Sequence, residues 1–453
     1  MKISHYILTF CILALLVACE KKSSTSTVTY DTTNAYISSF AFMAVDSVPG
    51  LAAAKFVVEN LNDTGRIRLA DGDSIAFGTR IDNVIPVIKY GGLPSAVICY
   101  LGDSSILLTN HDTLDFTLTP IKLQVYAADK KHEKWYYVSA PVHKADPYLY
   151  VWEQMTAAAV PALAAEQKGM KTADSFYLFR STAAGTRVAV SSDGRAWTDN
   201  NTNLPAYCHC SQIQYDQAGK VFYYLSCSDN MLYSSADAIV WQTTAITGNG
   251  HSPLALWMCY DGGLWTLLQS DTDKDSCYIS TINLQTNTFD IEYRLDAKQA
   301  PVSDFASVTY KAGNGLDHAL IAGGYNADGK MIADTWAFEA ANGQHRIVNL
   351  IRNKSEKKPF AGASIVRYDN KLLLYGGVNN DHEFISDVLV SENEGMSLSK
   401  MSDNYHHPLP DGIGNRWRWS AIADGNYIYL IGGQDNEAFF TDIYRGKLNS
   451  IDW

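Results

Sequence analysis

The chain has 453 residues, of which 48 are acidic and 36 basic, and its formal net charge is -12. This balance argues against a nucleic acid or anionic lipid partner, because proteins that bind those polyanions carry an excess of basic residues. With 47% hydrophobic residues the chain can bury a large core, and its length corresponds to about three average domains.

The first 18 residues have the pattern of a signal peptide. Lys2 is followed by an apolar run from Tyr6 to Ala18, which is too short to span a membrane. The run ends as LVAC and resembles a bacterial lipobox, in which Cys19 becomes the lipidated first residue. Ordinary secretion with cleavage nearby and an uncleaved anchor are the alternatives. We predict lipidation of Cys19, a flexible tether over residues 19–33, and an outer-membrane lipoprotein that is periplasmic or surface-exposed.

Residues 34–145 are predicted to form a β-sandwich. Seven short segments, separated by glycine and aspartate turns, have the composition of strands: ISSFAFMAV, KFVVENL, DSIAFGT, NVIPVIKY, AVICYL, IKLQVYAAD and KWYYVSA. This pattern in about 100 residues is typical of an immunoglobulin-like or cadherin-like fold. The segment from Leu114 to Pro147 resembles the terminal hairpin of cadherin-like sandwiches in Bacteroidota lipoproteins.

Residues 146–453 contain internal repeats, which indicate a β-propeller. SSDGRAW (Ser191–Trp197) returns in altered form as SADAIVW (Ser235–Trp241). Both resemble the Asp-box of sialidase-like propellers. That resemblance implies a turn between the last two strands of a blade, with the aspartate capping backbone amides and the tryptophan packed inward. It is structural and implies no catalytic residue.

A meander from Leu254 to Leu284 follows, and then three units share one pattern. Each has an apolar run, a glycine pair, a polar loop and an aspartate before the next strand. The pairs are Gly323-Gly324, Gly376-Gly377 and Gly432-Gly433. These units resemble kelch repeats. Six blades are predicted, or seven if the first segment is longer than it reads.

The last unit leaves little sequence for a fourth strand. Because an unpaired edge strand is a liability, we predict that YLYVWEQM (Tyr148–Met155) completes the last blade and closes the propeller.

Two segments suggest metal ligands but do not fit a metal site. CHC (Cys208–Cys210), read as part of a strand, would place its histidine on the face opposite both cysteines. DTDKDS (Asp271–Ser276) spaces its carboxylates as a calcium loop does, but lacks the glycine and the distal glutamate of such loops. A solvated turn is the better interpretation. No metal and no cofactor is predicted, and buried thiols are favoured for the cysteines.

The binding face follows from strand direction. In a blade, the loop between the second and third strands and the loop into the next blade emerge on the same side. Aromatic and planar polar side chains on these loops suit sugar rings. The candidate ligand-binding residues are Trp417, Arg416, Arg418, His406, Asp381 and His382. The alternative is that the tryptophans pack between blades and the arginines cap carbonyl groups.

The mature chain resembles a family of uncharacterised Bacteroidota lipoproteins with a sandwich followed by a kelch-like propeller. The resemblance implies no known activity. We expect a non-catalytic surface module that binds a glycan or a protein through one propeller face. The alternatives are a carbohydrate-active propeller enzyme of the sialidase, lyase or epimerase type, and a scaffold in an outer-membrane assembly. Phe179-Arg180 is followed by Ser181, so the arginine motif of sialidases is absent. No catalytic residue is assigned.

Overall fold

The computed structural model describes residues 31–48, 50–62, 64–70, 74–118, 120–161, 166–350 and 358–449. The chain divides into two compact units after Asp146. The predicted all-β class is confirmed, since the described α-helical structure is one turn, α1 (Gly50–Ala53). No helix in these ranges is long and apolar enough to cross a membrane. The predicted signal peptide, Cys19 and most of the predicted tether lie outside the described residues.

The first unit contains a two-stranded and a six-stranded sheet. Its strands are β1 (Ile37–Phe42), β2 (Phe56–Asn60), β3 (Thr64–Leu69), β4 (Pro86–Tyr90), β5 (Ala96–Leu101), β6 (Ser104–Leu107), β7 (Ile121–Tyr126) and β8 (Glu133–Val138), and a 3₁₀ turn covers Phe116–Leu118. β1 pairs with β4, and the larger sheet has the order β2-β3-β8-β7-β5-β6. Both sheets contribute buried side chains to one core. The likeness to immunoglobulin or cadherin domains stays a prediction.

Two details of this unit were predicted wrongly. β3 and β6 are both present, although neither was among the seven predicted segments. The predicted strand DSIAFGT is absent over its described residues, where Ile75 makes only an isolated bridge to Val142.

The described part of the second unit contains six four-stranded sheets, called blades 1 to 6 here. Blade 1 has β10 (Glu166–Lys171), β11 (Phe176–Thr182), β12 (Gly185–Ser191) and β13 (Thr198–Asn201). Blade 2 has β14 (Gln214–Asp216), β15 (Val221–Ser226), β16 (Met231–Ser235) and β17 (Gln242–Ala245). Blade 3 has β18 (His251–Tyr260), β19 (Gly263–Ser270), β20 (Ser276–Asn283) and β21 (Thr288–Asp296).

The kelch-like units form the remaining blades. Blade 4 has β22 (Ala306–Lys311), β23 (Asp317–Ala322), β24 (Thr335–Ala341) and β25 (Gln344–Asn349). Blade 5 has β27 (Ser364–Tyr368), β28 (Lys371–Tyr375), β30 (Leu389–Ser391) and β31 (Ser399–Lys400), with a short accessory pair of β26 (Phe360–Ala361) and β29 (Val378–Asn379). Blade 6 has β32 (Ser420–Asp424), β33 (Tyr427–Gln434), β34 (Phe439–Leu448) and β9 (Tyr150–Thr156). Two 3₁₀ turns cover Cys210–Gln212 and Ala297–Gln299.

The predicted closure is confirmed. β9 runs antiparallel to β34, with Tyr150 opposite Leu448 and Gln154 opposite Tyr444. The outer strand of the last blade therefore comes from the beginning of the propeller sequence. Unfolding blade 6 must break contacts between the two ends of the domain.

Both predicted Asp-boxes form the expected turns. Asp193 Oδ1 accepts hydrogen bonds from the backbone N–H groups of Arg195 and Ala196, at 2.8 and 3.0 Å. Asp237 does the same in blade 2. The Trp241 side chain is buried and donates from Nε1 to the Ala238 carbonyl at 3.0 Å. Ala238 has φ 64, so an alanine takes the left-handed position that glycine fills in blade 1.

A third turn of the same kind was not predicted. In blade 5, Asn393 Oδ1 accepts from the N–H of Ser397 at 2.9 Å, and Ser391 Oγ accepts from the N–H of Gly395 at 2.9 Å. Asparagine replaces the aspartate of the motif and the tryptophan is missing, so the sequence pattern did not identify it.

Candidate functional site

The glycine pairs of blades 4 to 6 allow a close approach of neighbouring backbone at one end of the propeller. A Cβ on Gly324 would lie 2.5 Å from the Ser303 carbonyl oxygen, and one on Gly433 would lie 3.1 Å from the Trp417 carbonyl oxygen. In each case the contact is with the segment that leads into the first strand of the same blade. The glycines thus fix these segments at one end of the central channel.

Three of these segments place one residue each at an equivalent position. Asp304, Gly362 and Arg418 lie two residues before the first strands β22, β27 and β32. All three have left-handed backbones, with φ of 52, 66 and 53. Gly362 donates its N–H to the Asp304 carbonyl at 2.7 Å, and Arg418 donates its N–H to the Gly362 carbonyl at 2.7 Å. Two residues with side chains therefore hold a conformation that favours glycine, which is a pattern often found at functional positions.

Arg418 and Asp304 form a bidentate ion pair across this end of the channel. Arg418 Nε donates to Asp304 Oδ1 and Nη2 donates to Oδ2, both at 2.6 Å. The Asp304 side chain is buried, whereas that of Arg418 is 28% exposed. The Arg418 guanidinium also stacks on the Trp417 ring, at 4.2 Å from its centroid. The planar guanidinium is held in place by two partners while part of it remains open to solvent.

Glu166 and His209 form a second pair nearby. His209 Nδ1 lies 3.3 Å from Glu166 Oε2, and the Ser211 N–H donates to Glu166 Oε1 at 2.9 Å. Burial opposes ionisation of Glu166, but the hydrogen bonds from His209 and Ser211 outweigh it and hold the pKa of Glu166 below its usual range. The hydrogen bond with Glu166 raises the pKa of His209. Each of these pKa shifts favours the charged form of the pair.

These two pairs form one electrostatic cluster. Asp304 and Arg418 both act on the charge of His209, and Glu166 and Tyr325 act on that of Arg418. The partly exposed Tyr325 is fixed by backbone hydrogen bonds with Val302 and Ser303. We call this cluster the channel mouth, and its residues are Glu166, His209, Asp304, Tyr325, Trp417 and Arg418.

The channel behind the mouth contains a cavity of about 410 Å³. Its wall comes from the first strands of the blades, namely β10, β14, β18, β22, β27 and β32, and from the residues just before them. Glu166, Asp304 and Arg418 belong to this wall. The charged groups of the mouth therefore face an open volume large enough for a small polar ligand.

Arg416 lies outside the channel mouth, and its role in ligand binding stays a prediction. Its side chain is 5% exposed and forms a bidentate pair with Asp442, at 2.5 and 2.8 Å. Nε donates to the Ile413 carbonyl and Nη1 to the Gly432 carbonyl. Arg416 thus caps carbonyl groups within blade 6, as the alternative interpretation expected.

His406 lies at the other end of blade 6 and is also excluded from the mouth. It pairs through its backbone with Tyr148 and Tyr150, next to the end of β34 at Leu448. Trp417 pairs with Gln434, which lies opposite the start of β34. The ten residues of β34 separate the two positions by about 30 Å.

Asp381 and His382 lie on the side of the propeller that strand direction predicted, but outside the mouth. Both are exposed on the loop after β29. The loop is stabilised internally, because Asn379 Oδ1 accepts from the N–H groups of Asp381 and Glu383. Neither residue lines the cavity. Of the six candidates, Trp417 and Arg418 are the two at the mouth.

Sequence reasoning missed Glu166, His209 and Asp304 as site residues. A signal for Asp304 was available in the repeats. Aligning the starts of the first strands, SDFAS, AGASI and WRWSA, places Asp304, Gly362 and Arg418 at one position. Glu166 and His209 have no such signal, because they come from segments outside the kelch-like units.

The CHC segment is not part of a strand, which corrects the reasoning about its geometry. Cys208 and His209 precede the 3₁₀ turn that begins at Cys210. Both cysteines are buried, and burial raises the pKa of the Cys210 thiol well above its ordinary value. The six cysteines of the described ranges are free thiols.

The DTDKDS segment forms a hydrogen-bonded turn. Asp273 accepts hydrogen bonds from the backbone N–H of Asp275 and the hydroxyl of Ser276.

The second unit is therefore a circularly closed β-propeller with a charged, partly aromatic site at one end of its channel. Residues 146–453 match the DUF6242 β-propeller domain, and the chain belongs to the DUF6242 family. Among solved structures, one titled "Structure of YjhT" is similar, with a TM-score of 0.40 and 11% identity, over 64% of this chain and 95% of that one. No curated protein matches the sequence.

Proposed function

We propose that the protein is a cell-envelope lipoprotein of the Bacteroidota type whose propeller binds a saccharide at the channel mouth. The observation that supports this most is the Arg418–Asp304 pair, held by two left-handed backbones beside an open cavity. Fixed planar donors and acceptors next to the aromatic rings of Tyr325 and Trp417 suit a sugar, which offers hydroxyl groups and an apolar ring face.

Binding without catalysis fits the charge states of the mouth better than an enzymatic reaction. A general base works best when its pKa lies near the working pH. The pKa of Glu166 is lowered and that of His209 is raised, so the shift of each pKa favours the charged form of the group. Asp304 is bound on both oxygens by Arg418. The carbohydrate-active enzyme remains the alternative, and turnover of any bound saccharide would favour it.

Substitution of the aromatic residues tests the proposed site. We expect Tyr325→Ala and Trp417→Ala each to weaken saccharide binding by about tenfold or more, because each removes a ring contact of about 1.4 kcal/mol or more. A glycan array probed with the full chain identifies the ligand, and calorimetry with each variant measures its affinity.

Tyr293→Ala is the matched control, because Tyr293 is a 41% exposed tyrosine on β21, the outer strand of blade 3. This variant should bind as the wild type does. Unchanged affinity in folded Tyr325→Ala and Trp417→Ala variants would show that the saccharide binds elsewhere. Binding of proteins but of no glycan would replace the proposal with a protein-binding function.

The envelope location depends on Cys19, which follows the apolar run of the signal peptide directly. We expect the Cys19→Ala variant to leave the membrane fraction, because it has no thiol for lipid attachment, while Cys11→Ala stays with the membranes. Fractionation of cells followed by mass spectrometry of the N-terminal peptide measures this. A Cys19→Ala variant that remains in the membrane fraction to the wild-type extent would disprove lipid anchoring at this residue.

A further inference from the structure

The wall of the channel cavity has a charge balance opposite to that of the whole chain. The chain has a formal net charge of -12. The charged residues of the cavity wall are four cations and two carboxylates: Lys168, Lys171, Arg367 and Arg418 against Glu166 and Asp304. Cations therefore outnumber carboxylates among the residues that line the cavity, in contrast to the acidic balance of the whole chain.

Three of these four cations form ion pairs with carboxylates, and Lys168 differs from them. Lys171 pairs with Asp424 at 2.8 Å, and Arg367 pairs with Glu394 at 2.9 Å. Arg418 has Asp304. Lys168 forms no ion pair among the described residues. Within the described ranges, Lys168 is thus the cation of the wall that has no bonded carboxylate.

The hydrogen bonds of Lys168 leave it able to accept a ligand. Nζ donates to the carbonyl oxygens of Ser211 and Ile213, at 2.9 and 2.6 Å. An ammonium has three N–H donors, so one remains for another partner. Burial lowers the pKa of Lys168 to about 8, and the group therefore still carries its charge near neutral pH.

Arg418 offers a second set of donors to the same cavity. Nε and Nη2 are bound to Asp304, and Nη1 has no hydrogen-bond partner in the described part of the chain. Glu166 acts electrostatically on both Lys168 and Arg418, which places all three in one neighbourhood of the wall. Lys168 and Arg418 thus each have an N–H group without a hydrogen-bond partner in the described part of the chain, and both cations line the same cavity.

We propose that the saccharide bound at the channel mouth is anionic, and that its carboxylate or sulfate group enters the cavity and binds to Lys168 and the Nη1 edge of Arg418. This inference rests on the proposed function, since it names the class of saccharide that the same site takes. A neutral sugar would leave the Lys168 ammonium partly desolvated without a counter-charge, which is unfavourable.

Three monosaccharides that differ at one position test the proposal: D-galacturonic acid, D-galactose 6-sulfate and D-galactose. We expect the full chain to bind at least one of the acidic sugars about tenfold or more tightly than galactose in calorimetry at pH 7. Binding of galacturonic acid would identify a carboxylate as the recognised group, and binding of galactose 6-sulfate would identify a sulfate. The preference should decrease with added salt and as the pH rises above about 8, where Lys168 loses its charge.

Lys168→Met should reduce the affinity for the acidic sugar towards that for galactose, so that the ratio of the two affinities falls towards one. Lys311→Met is the matched control, because Lys311 is 71% exposed, pairs with Asp317 and does not line the cavity. If Lys168→Met does not fold, the salt and pH dependence of the wild type decides the question.

The results that would overturn an anionic ligand differ from those that would overturn saccharide binding itself. Equal affinity for galactose and both acidic sugars would overturn the anionic ligand and leave saccharide binding intact. A preference for acidic sugars that Lys168→Met leaves unchanged would also overturn it. If none of the three sugars binds at millimolar concentration and the glycan array is also empty, saccharide binding itself fails.

Discussion

Replacing Arg416 with methionine should lower the free energy of unfolding of the propeller by about 3–5 kcal/mol, because a buried carboxylate loses its counter-charge. Arg416 and Asp442 are 5% and 10% exposed in their side chains, and the arginine also binds two carbonyl oxygens. Its loss leaves all three acceptors buried beside an apolar side chain. Urea denaturation followed by tryptophan fluorescence measures the change.

Arg294→Met provides the control for this prediction. Arg294 pairs with Asp273 on the surface, where the two side chains are 66% and 51% exposed. Removing an exposed pair should change stability by less than about 1 kcal/mol. The double variant Arg416→Met, Asp442→Leu should recover part of the loss, because the unpaired carboxylate is gone. Equal effects of Arg416→Met and Arg294→Met would contradict the structural role of Arg416.

Replacing Tyr150 with alanine should destabilise the propeller by about 3–5 kcal/mol, the range for removing a large buried aromatic side chain. Tyr150 is 3% exposed and packs against the rings of Tyr368 and Tyr405. It lies on β9, so the substitution also weakens the contact that closes the ring of blades. Calorimetry should show a lower melting temperature for the propeller transition.

The residue next to Tyr150 on β9 supplies the control for the effect of Tyr150→Ala on stability. Val151 lies on β9 opposite Lys447, and its side chain is 46% exposed. Val151→Ala keeps the strand pairing and removes little buried surface, so its effect should be within about 0.5 kcal/mol. If Tyr150→Ala melts as the wild type does, β9 does not contribute to the stability of the closed ring.

The fold was largely predictable because its signals are local. Glycine pairs, Asp-box turns and short alternating strands recur in the sequence, and each is recognised within a few residues. The closing strand was also predicted, because the last unit ended before a fourth strand could form. The errors in the first unit are the missed internal strand β3, the missed edge strand β6 and the segment DSIAFGT, which forms no strand over its described residues.

The candidate site was harder to predict because its geometry depends on irregular segments. Arg416 and Arg418 are two residues apart, but one is buried within blade 6 and the other faces the channel. In a strand, alternation would place both on one face. The segment before β32 is not a strand, and Arg418 has a left-handed backbone, so the alternation does not apply.

The path of the segment between blades 5 and 6 was also not predictable from the sequence. His406 and Trp417 belong to one connecting segment, yet they pair with opposite ends of blade 6. A sequence pattern gives the length of such a segment and not its path. Glu166 and His209 were missed because they lie in blade 1 and in the segment before blade 2, outside the kelch-like units whose repeats carry the pattern.

A crystal structure of the full chain with the saccharide that binds most tightly on the array tests directly whether the saccharide binds at the channel mouth. We predict that the sugar lies at the channel mouth, in contact with Arg418 and the rings of Tyr325 and Trp417. A sugar bound away from these residues, with no contact to the Arg418–Asp304 pair, would show that the channel mouth is not the saccharide-binding site.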